Sequence, residues 1–161
     1  MPLALPRLQR RLILDLILAL AVGVALRPVM ALHPVWWLAW IAPAALLLLA
    51  LRNEESRAGR LVGLAALVGS SVNFHYYAVV MPLGFALLAT VGMALLWGLV
   101  VSVSRRAVLR WRAWWTVLVF PIVWVAVDTV MAAVLPDGNW ASLAYTQSEV
   151  LPVLQRNRKV S

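Results

Sequence analysis

Between Leu61 and Val103 the sequence is almost unbrokenly apolar, and the length of that run decides the fold class. A single helix over it would extend ~65 Å at 1.5 Å per residue, roughly twice the ~30 Å hydrocarbon core of a bilayer. The run therefore has to fold back on itself as a hairpin. Met81-Pro82-Leu83-Gly84 supplies the break, because proline and glycine together punctuate a helix. Two spans follow, at 61–81 and 85–103.

The flanking sequence repeats this pattern. A first apolar run at 12–26 is expected to end at Arg27-Pro28, since the residue before a proline is pushed out of helical geometry. Three arginines precede it, as in a signal peptide, but no small-residue cleavage site leads into a soluble domain, so it reads as a retained helix. A second run at 35–51 is entered through His33-Pro34 and the cluster Trp36, Trp37 and Trp40, and tryptophan favours the headgroup level. A fifth run at 114–135 has Pro121 in its first half, where it should kink the helix. Pro136-Asp137-Gly138-Asn139 then reads as a turn. With 64% hydrophobic residues and a mean hydropathy of +0.90, the chain falls outside the range of soluble domains. The expectation is an all-α, polytopic integral membrane bundle of about five transmembrane helices over residues 1–135. Residues 136–161 are expected to form an extracytoplasmic interfacial segment and a truncated tail.

The net charge of +8 raises the question of nucleic acid, but the basic residues punctuate the apolar runs and form no continuous stripe. Arg7, Arg10 and Arg11 precede the first helix, Arg52, Arg57 and Arg60 lie between the second and third, and Arg105, Arg106, Arg110 and Arg112 lie between the fourth and fifth. The opposite turns hold Arg27 alone. Arginine and lysine collect on the cytoplasmic side, which puts the N-terminus in the cytoplasm and residues after the fifth helix outside. Arg156, Arg158 and Lys159 run against this pattern but are outnumbered. The expected partner is a phospholipid membrane, and not nucleic acid.

Chemistry is sparse. There is no cysteine, hence no thiolate nucleophile or thiolate metal site. The only histidines are His33 and His75, no glycine-rich phosphate loop occurs, and no cofactor is expected. Ser70, Asn73 and Tyr77 share a face of the third helix at i, i+3 and i+7. Polar groups in hydrocarbon need partners, so this face either bonds to neighbouring helices or borders a path for a lipid headgroup. Asp15 lies near the start of the first helix and reads as solvated or paired with Arg11. Asp128 lies in the middle of the fifth, where a carboxylate is protonated or paired with a group such as Asn73, His75 or Tyr77. Gly59 with Gly63, and Ala94 with Gly98 and Ser102, have the four-residue spacing of small residues that lets helices approach closely.

The late sequence adds Pro121, Trp124, Asp128, Trp140, Tyr145, Gln147, Pro152 and Gln155 in one register. This series resembles the end of the fifth membrane helix, and the loop after it, in bacterial apolipoprotein N-acyltransferases. The tryptophan-rich second helix with a proline near its middle, the polar third helix and the Pro-Leu-Gly hairpin are similar in order too. The resemblance implies a bacterial inner-membrane, multi-pass location, with Trp140, Tyr145, Gln147 and Asp128 nearest lipid and substrate. It also implies a nitrilase-like catalytic domain whose cysteine takes an acyl group from phospholipid and passes it to a lipoprotein amine. Met131-Ala132 stands where the family has Arg-Gly, and Gly138-Asn139-Trp140 where it has Phe-Pro-Trp, which marks a divergent branch. Arg156-Asn157-Arg158-Lys159 replaces an apolar continuation, as a truncated or frameshifted reading frame would. With no cysteine, the chain is expected to be inactive alone and to serve as membrane scaffold and lipid access for a catalytic domain in cis or in trans. The alternative is a non-enzymatic scaffold or small transporter subunit.

Overall fold

The computed structural model describes residues 7–31 and 35–134. These residues form helices only: α1 (Arg7–Met30), α2 (Leu38–Leu51), α3 (Glu55–Ser70), α4 (Phe74–Val80), α5 (Leu83–Trp111) and α6 (Val119–Val134). Short 3-10 turns at Ser71–Asn73 and Trp114–Leu118 join α3 to α4 and lead into α6. Three stretches are long and apolar enough to cross a membrane, Gln9–Met30, Leu83–Trp111 and Trp114–Val134, while α2 is apolar but shorter.

The apolar surface is turned inside out relative to a soluble protein. Leu88 and Leu95 on α5, Trp40 on α2, Val79 on α4 and Ile122, Val125 and Val134 on α6 all stand exposed. An apolar exterior of that extent needs hydrocarbon to cover it. The buried core is narrow, built from Leu26 and Val29 of α1, Leu46 of α2, Ala65 and Ala66 of α3, and Trp97, Val100 and Val101 of α5. The central helix is α3, packing against α1, α2 and α5, and α6 rests on α5.

Close approach between α1 and α3 depends on two glycines. A methyl group at Gly23 would lie 2.8 Å from the Ala65 carbonyl oxygen, and one at Gly69 would lie 2.8 Å from Cβ of Leu26. The glycines singled out by spacing behave otherwise: a methyl group at Gly59, Gly63 or Gly98 would meet nothing within 4 Å among the described residues. Four-residue spacing records which small residues share a helix face but not which face meets a neighbour.

Several boundaries move. The hairpin break falls at Met81 and Pro82, both in extended backbone. However, α1 continues through Arg27 and Pro28 to Met30, because Leu26 and Val29 are buried and the last carbonyls find partners. The Pro28 oxygen accepts from the Val35 amide at 2.9 Å, and the Met30 oxygen from the Asn73 side chain at 2.7 Å. At the other end of the bundle, α5 overruns the predicted limit at 103 and reaches Trp111. There Ser104 satisfies its hydroxyl on the Val100 carbonyl, and Arg105 and Arg106 leave the helix sideways for partners. The helix stops at Arg112, a non-glycine residue in the left-handed region (φ 47°), the geometry of a helix C-cap. Pro121 does not kink a long helix as expected. It lies in the first turn of α6, directly after a 3-10 turn, where a missing N–H costs little.

Candidate functional site

The predicted polar face of the third span is divided by the 3-10 turn at Ser71–Asn73. Ser70 is buried at the end of α3, with its hydroxyl 3.8 Å from the Met30 sulfur. Asn73 donates its side-chain amide to the Met30 carbonyl, so two of these polar residues close the C-terminal end of α1. Tyr77, half-buried in α4, has its ring beside Tyr76 at 6.0 Å between centroids. His75 is exposed.

On α6, Trp124 is the buried residue. Its ring lies 4.4 Å from that of Trp97 and 6.2 Å from that of Phe120, and Trp97 also meets Phe120 at 6.2 Å. Both contacts of Trp97 are tilted, whereas Phe120 and Trp124 are stacked with 16° between their planes, and tilted and offset-stacked pairs both suit the quadrupoles of aromatic rings. The indole N–H of Trp124 is buried and finds no acceptor among the described residues. Asp128 is half-buried one turn further along the same face of α6. Trp140, Tyr145 and Gln147, predicted to lie nearest lipid and substrate, fall outside the described residues. Among the described residues no group of three His, Cys, Asp or Glu side chains could hold a metal ion.

Sequence reading passed over Trp97, although a signal existed. A tryptophan at the middle of a span is far from the headgroup level where tryptophan is at home, so packing inside the bundle is the better reason for its presence.

The arginine-rich end is held together by several of its own arginines. Arg105 donates to the carbonyls of Ala50 and Asn53, both at 2.9 Å, and so caps the C-terminal end of α2 with a positive charge where the helix dipole favours one. Asn53 itself donates to the Leu49 carbonyl at 3.0 Å. Arg106 reaches Glu55 at 2.8 Å on the exposed side. Its hydrogen bond and its charge hold the Glu55 carboxyl below the usual carboxylate range. Asp15 pairs with Arg57 of α3 at 3.1 Å, not with Arg11 one turn back on its own helix. The α1–α3 contact brings Arg57 against that face of α1.

A narrow helical core inside an apolar, lipid-ready exterior defines an integral membrane protein. The model of the apolipoprotein N-acyltransferase N-terminal domain family matches residues 16–157, and the chain belongs to that family. No curated protein and no solved structure matched it.

Proposed function

We propose that this chain forms the multi-pass membrane part of an apolipoprotein N-acyltransferase in a bacterial inner membrane, holding a nitrilase-like catalytic domain at the outer leaflet and shaping lateral access for phospholipid. The observation that carries the reading is the family match over residues 16–157. The attachment of α6 supports it. A helix buried at Trp124 alone leaves most of its surface to lipid, and it leads directly into the segment with Trp140, Tyr145 and Gln147. The basic end, with Arg52, Arg105 and Arg106, belongs in the cytoplasm by the bias of arginine.

The chemistry divides accordingly. In the complete reaction a cysteine thiolate attacks the ester carbonyl of a phospholipid, and a thioester forms as the lysophospholipid leaves. The lipoprotein amine then attacks the thioester, forming an amide and returning the thiolate. These 161 residues contain no cysteine, so the nucleophile comes from a catalytic domain supplied in cis or in trans. The test joins or co-expresses such a domain with this chain and follows acylation of a lipoprotein N-terminus by mass spectrometry. Acylation that requires both parts supports the reading. Acylation by these 161 residues alone, or by the catalytic domain at the same rate without them, overturns it.

A further inference from the structure

At the basic end a groove of about 640 Å³ opens between α1 and the residue that follows α2, lined by Arg11, Leu14, Asp15, Ile17, Leu18 and Arg52. Its charges are unevenly satisfied. Asp15 is neutralised by the Arg57 guanidinium of α3 at 3.1 Å. Other arginines at this end are also engaged: Arg105 with two backbone carbonyls and Arg106 with Glu55. Arg11 and Arg52 are exposed, and neither forms an ion pair among the described residues. The groove thus presents two uncompensated guanidiniums beside one carboxylate already paired.

The rest of the lining is hydrocarbon. Leu14 and Ile17 are about half exposed and Leu18 is 38% exposed. Along α1, Leu18 lies ~10 Å beyond Arg11 at 1.5 Å per residue, in the direction of the apolar middle of the helix. A ligand filling this groove has an anionic oxygen group at one end and an apolar chain at the other. A soluble phosphate compound leaves the leucine and isoleucine wall uncovered, and an uncharged lipid leaves both guanidiniums unmatched. Guanidinium forks pair well with phosphate oxygens, and basic pockets beside membrane helices suit anionic headgroups.

We propose that Arg11 and Arg52 form a binding site for the phosphate of an anionic phospholipid in the leaflet at the basic end, with its acyl chain along Leu14, Ile17 and Leu18. The proposal does not rest on acyl transfer.

The test uses the full chain purified in a neutral detergent and native mass spectrometry of retained lipid. Dioleoyl phosphatidylglycerol and dioleoyl phosphatidylcholine are offered at equal concentration. The expected result is preferential retention of phosphatidylglycerol, reduced about tenfold in apparent affinity, or ~1.4 kcal/mol, by Arg11→Gln with Arg52→Gln. Arg106→Gln, which removes a different arginine at the same end, keeps the preference. Equal retention of the two lipids by the unaltered chain overturns the proposal, and that comparison needs no variant to fold. Unchanged retention by the double variant overturns it as well. Displacement of the lipid by millimolar inorganic phosphate reassigns the groove to free phosphate and also overturns it.

Discussion

The side-chain amide of Asn73 donates a 2.7 Å hydrogen bond to the backbone carbonyl of Met30, across 43 residues of sequence. Helix ends leave carbonyls without intrahelical partners, and inside a membrane no water reaches them. Asn73 thereby converts a polar residue of the third span into the cap of the first. Replacing it by leucine should destabilise the bundle by about 1 kcal/mol, the usual scale of a hydrogen bond between membrane helices. Asn73→Asp is the sharper variant at a pH high enough to ionise the carboxyl, since the ionised form has no N–H to give and repels the carbonyl, whereas the protonated acid could still donate its O–H. Unfolding in mixed detergent checks both, and the aspartate is expected to be the worse of the two.

Packing between α1 and α3 predicts opposite outcomes for one kind of substitution. Gly69→Ala puts a methyl group 2.8 Å from Cβ of Leu26 and 3.3 Å from the Met30 sulfur, and such overpacking costs about 1–3 kcal/mol. Gly59→Ala meets nothing and gains helix propensity, up to ~1 kcal/mol. Thermal unfolding of the two variants in the same detergent should move the midpoint in opposite directions.

Trp97 and Trp124 hold α6 to α5. Trp124→Ala should cost about 3–5 kcal/mol by large-to-small truncation and expose α6 to limited proteolysis at its ends. Trp124→Phe keeps an aromatic ring and removes an indole N–H that has no acceptor among the described residues, so its cost should be clearly smaller. A double-mutant cycle with Trp97 should return a coupling of about 1 kcal/mol. Additivity of the two truncations would show that the rings are in contact without mutual support.

Although three stretches among the described residues, not five, are long and apolar enough to cross a membrane, the all-helical membrane bundle, the hairpin at Met81 and Pro82 and the apolar exterior were legible in the sequence because they follow from length, hydropathy and backbone chemistry. The helix ends were not, for a common physical reason. Pro28 and Arg105 are local stop signals, and each was overridden by partners outside its own helix: the Val35 amide and the Asn73 side chain satisfy carbonyls of α1, while Ala50, Asn53 and Glu55 take the arginines of α5. The polar trio Ser70, Asn73 and Tyr77 was legible as a group with a need for partners. Which partner each would find depends on the approach of α1 and α3, set by Gly23 and Gly69, and spacing alone pointed to other glycines.

Titration of Glu55 offers a pH-dependent test. Its carboxyl, ordinarily near 4.5, is lowered by the hydrogen bond and charge of Arg106. A depressed folded value means that the pair stabilises the fold above the unfolded value, and that this contribution is lost as pH falls through the folded one. The change therefore belongs below about pH 4.5, and neutral pH leaves it intact. Carboxyl chemical shifts of Glu55 should report the lowered midpoint, and Arg106→Gln should return it toward the ordinary value. Both groups are exposed, so added salt should weaken the effect.

Arg105 and Arg106 are neighbours with the same side chain, yet they should respond differently to lysine. Arg105 uses Nε for the Ala50 carbonyl and one terminal nitrogen for the Asn53 carbonyl, a fork that a single ammonium cannot reproduce. Arg105→Lys preserves charge and the arginine-to-lysine topology bias but leaves at least one carbonyl at the end of α2 without its donor, at a cost of about 1–2 kcal/mol. Arg106 faces solvent with Glu55, and Arg106→Lys should change stability by less than ~0.5 kcal/mol. Equal unfolding midpoints for the two lysine variants would mean that charge, rather than the fork, is what Arg105 contributes. A lower midpoint for Arg105→Lys alone, with insertion unchanged, assigns it the task of tying α5 to α2.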